Sequence, residues 1–133
     1  MTSHQEVLKA AAEIVAAFGS HDKEKYFSLF SPEATFIFHS SPTRLNSRAE
    51  YENEWNTWEL EGFQVHSCTS SDQLVTIHGE GKVAVFSHTV RTDLTFGSER
   101  TQTGERESII FELTNGQWIA VHEHLSIDPT FAA

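Results

Sequence analysis

The sequence is poor in cysteine, proline and positive charge, and each shortage excludes something. A single cysteine, Cys68, rules out an internal disulfide and a cysteine-built zinc site, and fits a reducing compartment. Three prolines are too few for a proline-rich linker protein. Nine Lys+Arg stand against 19 Asp+Glu, a formal net charge of −10. A phosphate backbone needs clustered lysine and arginine to displace its counterions, so nucleic acid is an unsuitable partner. The same balance argues against an anionic membrane surface. No apolar run approaches the roughly 20 residues that span a bilayer. The opening Met-Thr-Ser-His-Gln-Glu has neither the basic nor the apolar region of a secretory leader. The expectation is one soluble domain over residues 1–133, in the cytoplasm.

What is present is apolar and aromatic. Hydrophobic residues make up 38% of the 133, with ten Phe and three Trp, which excludes a disordered chain. A chain of this length buries roughly two-thirds of its unfolded surface. In the first segment Val7, Leu8, Ala11, Ile14, Val15 and Phe18 recur at three- and four-residue spacings on one stripe, predicting a helix. Ser3-x-x-Glu6 reads as its capping box and Gly19 as its stop. Asp22 caps a short second helix that buries Tyr26, Phe27 and Phe30, ended by Ser31-Pro32. Ala34 to His39 reads as a strand. A third helix opens at the capping box Ser47-x-x-Glu50 and closes at Gly62, with Tyr51, Trp55 and Trp58 on its apolar face.

Beyond Gly62 the period changes from 3.6 to 2. Residues 63–69, 73–78, 82–96, 101–113 and 117–126 read as strands, separated by Ser-Ser-Asp, Gly-Glu-Gly, Gly-Ser and Asn-Gly. Asn115-Gly116 is the strongest hairpin signal. Helices followed by an antiparallel meander make an α+β pattern, with the helices on one face of a curved sheet. A two-residue loop at Asn115-Gly116 pairs Leu113 with Trp118, Phe111 with Ala120, Ile109 with His122 and Glu107 with His124. A two-residue loop at Gly97-Ser98 pairs Phe86 with Ile109 and His88 with Glu107. Alternation then gathers Ala84, Phe86, Ile109, Phe111 and Trp118 as an apolar floor, with His88, Glu107 and His124 as an ionisable row and His122 beside it. An apolar floor with a few convergent polar groups is the make-up of a small-molecule pocket. The opposite face carries Val83, Val85, Ile110, Ile119 and Val121, more β-branched surface than a solvated sheet needs, and a homodimer interface would account for it.

In element order and in particular residues the chain resembles the nuclear transport factor 2-like superfamily. The matching residues are Glu52-Asn53-x-Trp55, Gly79-Glu80, Gly116-x-Trp118 and His122-x-His124-x-Ser126. The nearest likeness is to SnoaL-like proteins and the association domain of calcium/calmodulin-dependent kinase II. The resemblance implies a cystatin-like cone, three N-terminal helices packed on a curved, mainly antiparallel sheet. It places a counterpart of Trp55 at the pocket mouth. Ketosteroid isomerase-type members carry a carboxylate base after the first strand; residues 35–40 here hold no acid, which leaves His39. The kinase association domain lines its pocket with arginines where this chain has Ile109 and Leu125.

Two chemistries compete for the histidines. His39, His88, His122 and His124 could supply metal ligands, or hold the sheet edge by hydrogen bonds; no metal-ligand set assembles from their spacing. Glu107 opposite His124 is either an acid–base dyad or a cross-strand ion pair. Glu50, Glu52, Glu54, Glu59 and Glu61 form a solvated acidic face, and Cys68 has no basic neighbour to activate it. The expected site has His124, Glu107 and His88 as catalytic groups. Its expected ligand-binding residues are Phe18, Tyr26, Phe38, His39, Trp55, Phe86, Ile109, Phe111, Trp118 and His122. The expected function is binding of a small, largely apolar ligand, with cofactor-free isomerase, cyclase or dehydratase chemistry. The competing expectation is a non-catalytic association domain.

Overall fold

A computed structural model describes residues 1–131. Helix α1 spans Ser3–Gly19, α2 Lys23–Ser28 and α3 Arg48–Leu60. The strands are β1 Phe30–Phe38, β2 Gln64–His78, β3 Val83–Phe96, β4 Glu99–Thr114 and β5 Gln117–Ile127. The architecture is α+β. The five strands form one sheet in the order β1-β5-β4-β3-β2, antiparallel except for the parallel pair β1–β5. No helix among the described residues is long and apolar enough to cross a membrane.

Local chemistry explains most boundaries. Asp22 and Ser47 cap α2 and α3, their side chains accepting from the amides of Lys25 and Glu50. The α1 capping box lies one residue earlier than the sequence suggests, with Thr2 and Gln5 satisfying each other's amides. Gly19 ends α1 against β2, where a Cβ would lie 2.9 Å from the Cys68 amide nitrogen. Asn115 and Gly116 both take positive φ, 51° and 78°, as the twist of a two-residue hairpin requires.

Two strand expectations are corrected. Ser31-Pro32 does not end the second helix before a later strand; β1 begins at Phe30 and carries Pro32, with its register to β5 broken between Phe30 and Thr35. The strand tolerates proline because it lies at the sheet edge, where a ladder bond can be forgone. Ser70-Ser71-Asp72 is not a turn between two strands. One 15-residue β2 runs through it, and the extra length is absorbed as a bulge between Ser71 and Leu74.

The core lies between the helices and the inner sheet face. Val7, Ala11 and Ile14 of α1, Tyr26 and Phe27 of α2, and Tyr51 and Trp55 of α3 pack with Phe30, Phe36, Phe86, Ile109, Phe111 and Ala120. Edge-to-face pairs such as Phe27–Tyr51, 4.8 Å between centroids, tie α2 to α3.

Candidate functional site

The β3–β4 register is the expected one: Phe86 faces Ile109 and His88 faces Glu107. The β4–β5 register starts as expected, with Leu113 opposite Trp118 and Phe111 opposite Ala120, and then changes. Ile110 faces His122 and Ile109 faces Glu123, so Val121 is an extra residue in β5. Past this bulge every β5 side chain lies on the face opposite to the one expected. Glu123 turns inward and is 2% exposed. His122 and His124 turn outward; His122 Nδ1 lies 2.8 Å from the Thr35 hydroxyl, and His124 is exposed. Glu107 faces Leu125, not His124, which corrects the proposed row.

What assembles inside is a carboxyl pair under an apolar cavity of about 350 Å³. The walls include Ile14, Val15, Phe18, Phe38, Trp58, Phe63, Val90, Leu94, Phe96 and Leu125; the polar groups include Tyr26, Tyr51, Glu105, Glu107 and Glu123. No lysine or arginine lines it. His39 stands on its wall, its Nε2 2.5 Å from Glu105 Oε2. Of the residues expected to bind ligand, Phe18, Tyr26, Phe38 and His39 line the cavity. Trp55, Phe86, Ile109, Phe111 and Trp118 lie in the core, the first four at most 1% exposed. They support the cavity without lining it, and Trp55 is not at a mouth. His122 lies outside. Arg91 pairs with Asp128 at 2.9 Å and caps the Phe131 ring at 4.7 Å, away from the cavity.

The three expected catalytic groups do border one hollow, but it is a polar one distinct from the apolar cavity. His88, Glu107 and His124 share it with Asp72, Arg106 and four Ser or Thr residues. Glu107 therefore lies between two concavities.

Hydrogen bonds join the buried polar groups. The Tyr26 and Tyr51 hydroxyls are 2.9 Å apart, and the Tyr26 hydroxyl donates toward Glu123, 3.3 and 3.4 Å from its oxygens. Glu123, opposite Ile109, and Glu107, opposite Leu125, are diagonal neighbours on the inner face, and each carboxyl acts on the other's protonation. Glu107 Oε1 lies 2.6 Å from His88 Nε2, and His88 Nδ1 lies 2.5 Å from Ser70 Oγ, which also accepts from Gln73 Nε2 at 2.8 Å.

Burial dominates the protonation of this cluster. It pushes Glu107 up to about 8, with the Glu105 charge adding to the effect. It raises Glu123 well above the usual carboxylate range, with Glu107 as a further cause. The same loss of solvent lowers His88 to about 4, and both tyrosines are raised by burial and then by Glu123. At neutral pH the 2.6 Å Glu107–His88 contact thus joins a carboxylic acid to a neutral imidazole. Such a floor can donate a proton or a hydrogen bond to a ligand and take it back. Burial pushes the Cys68 thiol on the cavity wall up to about 12, which makes it a poor nucleophile. Among the described residues, no three His, Cys, Asp or Glu side chains are grouped to hold a metal ion.

The sheet order and the helices covering one face define a cystatin-like fold. A family model described as "SnoaL-like domain" matches residues 7–129, and the chain belongs to that family. A nuclear transport factor 2-like protein from Cytophaga hutchinsonii superposes with TM-score 0.81 at 14% identity, covering 96% of this chain and 100% of that one. A putative calcium/calmodulin-dependent protein kinase II association domain from Xanthomonas campestris gives 0.77 at 19%, covering 95% and 88%. A cystatin-like protein of unknown function from Nostoc punctiforme gives 0.70 at 14%, covering 96% and 92%. At these identities the likeness speaks for the fold. No curated protein matches the chain.

Proposed function

We propose that the chain binds a small, largely apolar ligand in the cavity and performs cofactor-free acid–base chemistry on it, of the isomerase, cyclase or dehydratase kind. The observation that carries this reading is the placement of two neighbouring carboxyls, Glu107 and Glu123, at the floor of an otherwise apolar cavity free of lysine and arginine, where burial favours their protonated forms. A structural core gains nothing by burying two acids without cations, whereas a site gains a proton source poised near neutrality. In this reading Glu123 and Glu107 carry the proton, Tyr26 holds Glu123 by its hydroxyl, and His88 orients Glu107. Phe18, Phe38, Trp58, Phe63 and Leu94 hold the ligand's apolar body.

The test is a thermal-shift screen of the protein against small neutral metabolites, repeated on Glu123→Gln. A compound that binds only the native state raises its stability by roughly 2.7 kcal/mol at a hundredfold excess over Kd. The expected result is a shift from one ligand class that shrinks in the variant. Absence of a shift from every class would move the function to the second reading, a non-catalytic association domain. That reading is supported by the half-buried Val83, Val85, Ile110, Ile119 and Val121 on the outer sheet face, which would pair two copies in a homodimer. Val85→Glu should then convert the dimer to monomer on sizing; a monomeric wild type would refute it.

A further inference from the structure

We propose that Glu123, its inner-face neighbour Glu107, His88 and Ser70 form a proton path linking the cavity floor to solvent at the bulge of edge strand β2. The inference deepens the acid–base reading above and rests on it. Its residues come from four strands: Glu123 from β5, Glu107 from β4, His88 from β3 and Ser70 from β2. They cross the sheet in strand order from the cavity to the free edge. The contacts at His88 are short, 2.6 Å to Glu107 and 2.5 Å to Ser70. At the far end Ser70 is half-buried, and its partner Gln73 is exposed.

The decisive property is that the chain is complete in either direction. In one polarity Glu123 O–H donates to Glu107, Glu107 O–H to His88 Nε2, and His88 Nδ1–H to Ser70 Oγ. In the other, Ser70 O–H donates to His88 Nδ1, His88 Nε2–H to Glu107, and Glu107 O–H to Glu123. Each group is both donor and acceptor, as an imidazole, a carboxylic acid and a hydroxyl allow. Passing one proton from end to end converts the first polarity into the second. A proton arriving on the Glu123 oxygen turned away from Glu107 releases the Glu123 proton to Glu107. Glu107 then passes its own proton to His88 Nε2, His88 gives its Nδ1 proton to Ser70, and Ser70 gives its hydroxyl proton to water. One proton enters, one leaves, and no bond between heavy atoms changes. The cavity acid can thus be reset from the sheet edge while a ligand fills the cavity.

The surroundings support transfer over trapping. On the cavity side the pair meets Tyr26 of α2, Tyr51 of α3, Glu105 of β4, Cys68 of β2 and His39, none of them a fixed cation. On the other side Asp72, His124 and Arg106 border the polar hollow; the His88 side chain is fully buried and that of Glu107 is 10% exposed. Arg106 is exposed there, and so screened by water.

The experiment measures exchange of the His88 ring N–H with water in the ¹⁵N-histidine-labelled, unliganded protein, against the amides of Phe86 and Ile109. A path to the edge predicts that the ring proton exchanges faster than those amides. Ser70→Val, which replaces the hydroxyl by methyl groups, should slow it by about tenfold or more with amide exchange unchanged. Ser70→Thr, which keeps the hydroxyl, should restore the rate. Exchange at the pace of the neighbouring amides, or a rate unaltered in Ser70→Val, would overturn the proposal. Should Ser70→Val fail to fold, Ser70→Ala, the smaller change, supplies the same comparison against wild type and Ser70→Thr. Because no ligand is used, the result is separate from the thermal-shift screen: a cavity that binds without this exchange refutes only the path.

Discussion

The two halves of β5 are chemically opposite on the same face of the sheet. Before Val121 the inward residues are Trp118 and Ala120; after it they are Glu123 and Leu125. The first half closes the core with Phe111 and Ile109, and the second brings an acid beneath a cavity. A single inserted residue separates them. Without it His122 and His124 would occupy the inner face and Glu123 would meet solvent. The lesson is that stability and chemistry are segregated along one strand, and a bulge marks the border.

Breaking the first half should cost most. Phe111→Ala removes a large side chain that is 1% exposed, and chemical denaturation should show a loss of about 3–5 kcal/mol. The second half predicts an unusual pH dependence. Glu107 and Glu123 have folded-state pKa values above their unfolded ones, so the folded state binds more protons once pH exceeds the ordinary carboxylate range. Their contribution to stability is present in full at low pH and lost as pH rises toward about 8 and beyond. His88 acts oppositely: its pKa is lowered from 6.5 to about 4, so its neutral burial costs stability as pH falls through that window. The two trends offset each other below 6.5, and above it the carboxyls dominate. Unfolding free energy should therefore fall from pH 6.5 to about 8, by up to about 1.4 kcal/mol per pH unit for each acid, and the melting temperature with it. Glu107→Gln should flatten the slope; a slope unchanged in that variant would contradict the assignment.

The histidines sharpen the same comparison. His88→Ala leaves the Glu107 carboxyl without its 2.6 Å partner and should cost about 1–3 kcal/mol in urea titrations. His124→Gln, on the exposed side, should lie within about 0.5 kcal/mol of wild type. Equal losses would place both histidines in one environment, as a regular strand would have them.

Much of this architecture was legible in the residues themselves. Asp22 and Ser47 mark helix starts because their side-chain oxygens satisfy orphan amides. Asn115-Gly116 and Gly97-Ser98 set two hairpins, and with them the His88–Glu107 pairing. The bulge was not legible. A bulged residue near the right-handed helical region needs no glycine, so Val121 carries no signal. The run Val-His-Glu-His-Leu also alternates plausibly in either register. One available clue lay elsewhere: Tyr26 and Tyr51 sit on apolar helix stripes, and buried hydroxyls require a polar partner from the sheet. A second glutamate was that partner. Likewise Pro32 and Ser70-Ser71-Asp72 read as breaks because turn chemistry and edge-strand irregularities use the same residues.

The most direct test of the buried carboxyl pair is a ¹³C-detected pH titration of the glutamate side chains. Glu107 should titrate near pH 8, and Glu123 should titrate well above the usual carboxylate range. If Glu123 titrates within the usual carboxylate range, it faces water, the bulge at Val121 is absent, and the cavity has no acid floor.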